Sequence, residues 1–136
     1  MSLTDEEIAT LVQLELKKAN ETFEEIEILT KANKWNGAAN RLYYSVFHAI
    51  SALLISDGHH VSTHSGSHAL FNLYYIKTGI LPNEYSKLYS QLQTLREESD
   101  YNCIYNVEAN EISEKIPLAQ ELIKRINTII TNKSSI

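Results

Sequence analysis

Arg96 is the residue whose type and setting point most directly to chemistry. It lies in a segment where Tyr85, Leu88, Tyr89, Leu92 and Leu95 recur at helical spacing, which marks the buried stripe of a helix. At 100° per residue, Arg96 projects only about 40° from the centre of that stripe. A guanidinium aimed toward a core or an interface needs a partner, because burying it unpaired is costly. Asp100, at i+4, offers one reading, an ordinary helix Arg–Asp pair. The other reading is an anion site. Arg96 lies one turn from the predicted helix end, a loop carrying Tyr101 and Tyr105 follows, and a planar five-donor fork suits phosphate. Spacing does not choose between the two.

A second constellation is Arg41, Tyr44 and His48, at i, i+3 and i+7 of another predicted helix. Their side chains line up along one face, as a hydrogen-bonded seam between helices or as one wall of a site. Four of the five histidines, His59, His60, His64 and His68, fall within ten residues. His64 and His68 have the i, i+4 spacing of a helical metal pair. A metal site needs a third ligand that the sequence does not supply, so no metal and no cofactor are expected. The sequence has no glycine-rich phosphate loop and no nucleophile elbow. The single cysteine, Cys103, has no histidine after it in the chain and reads as a small apolar filler.

The elements that must position these residues are helical. The 136 residues are 43% apolar and 21% charged, with four Gly and two Pro, a composition for one globular domain (residues 1–136) with few turns. The net charge of −5 argues against a protein that coats nucleic acid non-specifically. It leaves room for a local site with a few placed cations. There is no apolar leader and no run long enough to span a bilayer, so the cytoplasm is the expected compartment.

Five helical segments follow from periodicity and punctuation. The first spans about Asp5 to Lys31, opened by a Thr4–Glu7 capping box. The second runs from Trp35 to about Ser56 and stops before Gly58. The third covers about Ser65 to Thr78 and stops at Gly79. The fourth runs from about Pro82, as a first-turn proline, to Asp100. Tyr101 to Ala109 reads as a loop. The last spans about Asn110 to Thr131, with Pro117 kinking it or marking its true start. The second helix has an apolar face (Leu42, Tyr43, Val46, Phe47, Ile50, Leu53, Leu54) and an opposite face free of Lys and Glu, with Gly37, Ser45 and Ala52 beside the polar triplet. Such a helix is expected to be covered on both sides. The expected fold is an all-α, up-and-down bundle of about five helices.

Four runs carry a family resemblance: Ala39-Asn40-Arg41-Leu42-Tyr43-Tyr44-Ser45-Val46-Phe47-His48-Ala49, Thr63-His64-Ser65-Gly66-Ser67-His68-Ala69-Leu70-Phe71, Lys77-Thr78-Gly79, and Leu95-Arg96-Glu97-Glu98-Ser99-Asp100-Tyr101. In order and spacing they resemble small prokaryotic HEPN-domain proteins. The resemblance implies a helical bundle that forms a homodimer and works in nucleotide or RNA chemistry. Many HEPN proteins are metal-independent endoribonucleases, often toxins paired with a small nucleotidyltransferase. In those, an arginine is followed by a histidine after four to six residues, and both act on the 2′-OH and the scissile phosphate. Arg96 matches that arginine. Tyr101, Asn102 and Cys103 stand where the histidine would fall, which resembles an Arg…Asp-Tyr branch. The site residues implied are Arg96 and Asp100 for catalysis and Arg41, Tyr44, His48 and Tyr101 for binding, with His48 or His68 as sources of an imidazole. Three functions follow: a binding module for nucleotide or RNA phosphate that pairs with a nucleotidyltransferase, an endoribonuclease toxin, or a purely structural dimer.

Overall fold

The computed structural model describes residues 3–59, 63–104 and 106–134, and His60 and Tyr105 lie outside them. The elements are α1 (Asp5–Lys31), α2 (Trp35–Ser56), α3 (His64–Phe71) running on into a π-helical turn (Asn72–Ile76), α4 (Asn83–Tyr101), α5 (Ala109–Ser113) and α6 (Ile116–Ser134). No strand occurs among the described residues, and the fold is the all-α bundle that the periodicity predicts.

Local chemistry sets the boundaries. Thr4 Oγ1 accepts from the Glu7 amide at 3.1 Å while Glu7 Oε1 accepts from the Thr4 amide at 2.9 Å, the reciprocal capping box that starts α1. Asn33 takes the left-handed conformation (φ 58°) and turns the chain from α1 into α2. Gly58 (φ 83°) and Gly79 (φ 80°) do the same after α2 and after the π-turn, where a Cβ would be strained.

Three boundaries differ from the periodicity. The third helix starts one residue earlier than expected and leaves α geometry at Asn72, where the Lys77 amide donates to the Asn72 carbonyl at 2.9 Å. That i→i+5 bond comes with Phe71 and Tyr75 both turned into the core. Pro82 is the cap residue before α4 rather than its first turn. The last segment is two helices: α5 is one short turn, and Pro117 sits in the first turn of α6, where its missing N–H costs nothing. Cys103 is exposed rather than a filler, because it lies beyond the end of α4 where no helix covers it.

The core is organised on α2, which packs against α1, α4 and α6. Twelve of its residues are buried, among them Ser45 and Ala52 on the small-residue face at 0% exposure. Covering on both sides therefore comes from within the bundle. Glu25 of α1 meets Arg41 and Glu15 meets His48, so the two helices run antiparallel. Asp100 of α4 meets Asn40, so α4 also runs antiparallel to α2. Lys133, at the end of α6, bonds Ser56 and Asp57 at the end of α2, which makes α6 parallel to α2 and gives the up-and-down order.

Candidate functional site

Arg96 enters the bundle as its angular position predicts, and only 6% of it is exposed. Its guanidinium lies 4.9 Å from the ring centre of Tyr43 and 5.7 Å from that of Tyr44. Both tyrosines come from α2, so the α2–α4 packing makes a cation–π seat. The acidic groups stand farther off than hydrogen bonds: Glu97 Oε1 is 3.8 Å from Nη2 and Asp100 Oδ2 is 3.7 Å from Nη1. Nε is buried with no hydrogen-bond partner among the described residues. Burial works against the charge, but the Tyr101 hydroxyl and the tyrosines outweigh it and raise the guanidinium pKa above its ordinary value. Arg96 thus stays a cation with donor capacity unspent, at the floor of an open cleft of about 490 Å³ shared with Glu97, Glu98, Tyr101 and Asn102.

The same tyrosine that carries Arg96 holds a histidine. Tyr43 Oη and His64 Nδ1 are 2.9 Å apart. The His64 ring also packs 5.8 Å from Tyr44 and 4.7 Å from Phe47. His64 is the first residue of α3, placed there by Thr63, whose Oγ1 caps the helix by accepting from the Gly66 amide at 2.9 Å. A Cβ on residue 66 would stand 2.7 Å from that oxygen, so a side chain there would push the Thr63 hydroxyl from its present place. Burial and then the nearby Arg96 charge hold the His64 pKa below its ordinary value, which leaves the ring neutral at pH 7. Engaging Nδ1 leaves Nε2 as the nitrogen for a substrate.

The other residues singled out by spacing divide between this cluster and its surroundings. Tyr44 belongs to it. Tyr101 is 78% exposed at the cleft edge with its hydroxyl toward Arg96. Arg41 reaches the cluster only through the Tyr44 ring, 5.8 Å away. Its donors go to Asn40 Oδ1, at 3.0 and 2.5 Å, and toward Glu25. His48 turns to α1, with Nδ1 2.7 Å from Glu15 Oε2. Asp100 accepts from Asn40 Nδ2 at 3.3 Å, so its carboxylate is tied to α2. His68 packs against Tyr89, 5.0 Å between ring centres, and burial lowers its pKa in spite of the Ser86 backbone. The two members of the i, i+4 histidine pair therefore serve different neighbours.

Sequence reasoning did not place His64 with Arg96. The signals were its position after a Thr cap and the tyrosine pair at 43 and 44. Neither reveals that α3 folds back over the middle of α2.

An arginine with free donors beside a neutral imidazole can hold a phosphodiester and move a proton at its edge, with no metal ligand set required. A model of the HEPN domain matches residues 12–129. A UPF0332 protein of Thermotoga maritima is 32% identical over 84% of this chain and 86% of its own. Two proteins of Methanocaldococcus jannaschii named as candidate toxins are 27% identical over 74% of this chain and 75% of theirs, and 28% identical over 71% and 65%. The matched span runs from α1 through α6 and includes every residue of the Arg96 cluster: the chain belongs to the HEPN domain family.

Proposed function

We propose that the Arg96 cleft binds an RNA phosphate and that the chain cleaves RNA there without a metal, as a toxin-like HEPN protein. One observation carries this reading: His64 is hydrogen-bonded to the tyrosine whose ring seats Arg96, so an imidazole stands beside the arginine although none follows it in sequence. Arg96 holds the non-bridging oxygens and offsets the charge that grows in the transition state. Nε2 of His64 takes the proton of the ribose 2′-OH, whose oxygen attacks the adjacent phosphorus. The P–O5′ bond breaks, the 5′-oxygen takes a proton from the imidazolium, and the products are a 2′,3′-cyclic phosphate and a 5′-hydroxyl. A lowered His64 pKa suits the base role at neutral pH. Asp100, beside Arg96 and bonded to Asn40, serves as a support for α4 rather than as the base.

The toxin names of two relatives favour a partner that restrains the activity, and the family resemblance favours a nucleotidyltransferase-domain protein for that role and a homodimer for the assembly. A second reading, a module that binds nucleotide or RNA without cutting it, is favoured by the exposed Tyr101 ring, a stacking surface beside the cation. The test is incubation of purified chain with RNA in chelator. Metal-free cleavage with cyclic phosphate ends, lost in Arg96→Met and His64→Ala, supports the nuclease. RNA retention that depends on Arg96, with no cleavage by the chain alone or with its partner, selects the binding module.

A further inference from the structure

Two carboxylates stand beside Arg96, and a carboxamide bonds each of them. Asn40 Nδ2 donates to Asp100 Oδ2 at 3.3 Å and to Oδ1 at 3.5 Å. That same Oδ2 is 3.7 Å from Arg96 Nη1, outside hydrogen-bond range. Gln93 Nε2 donates to Glu97 Oε1 at 3.1 Å, and that oxygen is 3.8 Å from Arg96 Nη2. Without such holds, a carboxylate one helical turn from an arginine closes on the guanidinium to about 2.7–2.9 Å. It would then occupy the donors that a phosphate needs.

Asn40 is itself oriented. Its Oδ1 accepts from Arg41 Nε at 3.0 Å and from Nη2 at 2.5 Å. A carboxamide has one acceptor end and one donor end. Flipping it would set Nδ2 against the Arg41 guanidinium and Oδ1 against the Asp100 carboxylate, so both neighbours demand the observed sense. The series Arg41–Asn40–Asp100 therefore crosses from α2 to α4 with every link donor to acceptor, and it ends on the carboxylate beside Arg96. Arg41 thereby serves the cleft from a distance: it fixes the amide rather than touching the ligand.

We propose that Asn40 is a positioning residue: turned by Arg41, it draws the Asp100 carboxylate off Arg96 and keeps the guanidinium donors open to an RNA phosphate. This rests on the phosphate-binding reading of the cleft for its consequence, whereas the place of the carboxylate is a property of the unliganded protein. Asn40 lies within α2, where alanine is the best helix former, so its amide can be removed without disturbing the backbone.

Asn40→Ala, Asp100→Ala and the double variant separate this role from a simple tie between α2 and α4. Crystal structures of the full-length proteins read the Asp100–Arg96 distance, and filter binding of a non-cleavable 2′-O-methyl RNA reads the consequence. In Asn40→Ala the Asp100 carboxylate is expected to close to about 2.8 Å from Arg96. RNA affinity is expected to fall on the order of tenfold, because a charge-assisted pair must open before phosphate can bind. Asp100→Ala is expected to bind RNA at least as tightly as wild type, and the double variant to regain that affinity. A tie between helices predicts otherwise: both single variants weaken binding and the double does no better. That result overturns the proposal. So does an Asp100 carboxylate that stays beyond about 3.5 Å from Arg96 in Asn40→Ala, or one that closes with RNA affinity unchanged within about twofold. Wild-type protein that binds no RNA sinks the reading of the cleft instead, and the Asp100–Arg96 distance in Asn40→Ala still decides whether Asn40 holds the carboxylate off.

Discussion

Replacing Arg96 with methionine separates a ligand-binding arginine from a structural one. Methionine keeps most of the stem and fills the space beside Tyr43, so the change removes mainly the charge. On the stabilising side, the cation over Tyr43 and Tyr44 at 4.9 and 5.7 Å contributes about 0.5–2 kcal/mol. The contacts with Glu97 and Asp100, at 3.8 and 3.7 Å with acids 49% and 32% exposed, contribute a few tenths each. Against these stands a guanidinium 6% exposed with Nε unpaired, and an unsatisfied buried donor costs about 1–3 kcal/mol. The two sides nearly cancel. Arg96→Met is therefore expected to change stability by no more than about 1 kcal/mol, or about 4 °C in Tm for a domain of this size. A loss above about 3 kcal/mol, with Tm lowered by more than 10 °C, would instead mean that Arg96 chiefly holds α4 against α2. Loss of a charge-assisted phosphate contact and of transition-state stabilisation should lower metal-free cleavage by roughly 10²–10³-fold. Calorimetry beside the cleavage assay reads both. A large fall in Tm, with activity per folded molecule retained, would refute the reasoning.

His64→Ala should lower cleavage by about 10²–10⁴-fold, the usual contribution of a placed acid–base group, with RNA binding largely kept; equal activity would remove His64 from the mechanism. Asp100→Asn, by contrast, should leave cleavage within about tenfold and strengthen phosphate binding, since it removes a like charge 3.7 Å from Arg96 while keeping an acceptor for Asn40; a deeper loss would return Asp100 to the base role. Burial lowers the pKa of both His64 and His68. Below about pH 6.5 the unfolded chain takes up protons that the folded one refuses, so stability falls as pH drops from 7 toward 5. Thermal melts across that range should show the slope, and His68→Leu should flatten it. Tyr75→Phe removes the hydroxyl that Asp57 and the Leu53 carbonyl accept from and should cost about 1–3 kcal/mol, read by denaturant unfolding.

The four long helices were legible because each carries an apolar stripe, although only the second also has a glycine stop and the last reads as starting six residues early, at Asn110 rather than Ile116. Asp5–Lys31 and Trp35–Ser56 follow directly from the capping box, Gly58 and the Leu42–Leu54 face. Arg96 was legible too, because 100° per residue fixes its direction without knowledge of the neighbour. The π-turn was not, since Asn72-Leu73-Tyr74-Tyr75-Ile76 reads as ordinary helix and only the i→i+5 bond from the Lys77 amide to the Asn72 carbonyl shows the extra residue. The His64 contact was not legible either. It depends on how α3 packs across α2, a tertiary choice with no period in the sequence. Conversely, Arg41 and His48 lined up with Tyr44 as their spacing required, yet Glu25 and Glu15 of α1 claim them, because the helix face they share is the one α1 covers.

The charge around the cleft sets how RNA can be held. Arg96 is flanked by Glu97, Glu98 and Asp100, and Arg41, the next cation of the seam, is turned toward Glu25. In a chain of net charge −5, long-range attraction for a polyanion is weak, so binding through this protein alone must be short-range: one phosphate on Arg96 and stacking on Tyr101. Each phosphate neutralised on a single strand contributes about −0.7 to the slope of log affinity against log salt. One to two cations therefore predict a slope between about −0.7 and −1.4 for the isolated chain. A filter-binding titration from low to high salt measures it with a non-cleavable 2′-O-methyl RNA. A slope steeper than about −3 would mean that more than four cations contact the backbone. The cleft described here could not supply them, and the single-chain site would have to give way to one built from two subunits or from a basic partner.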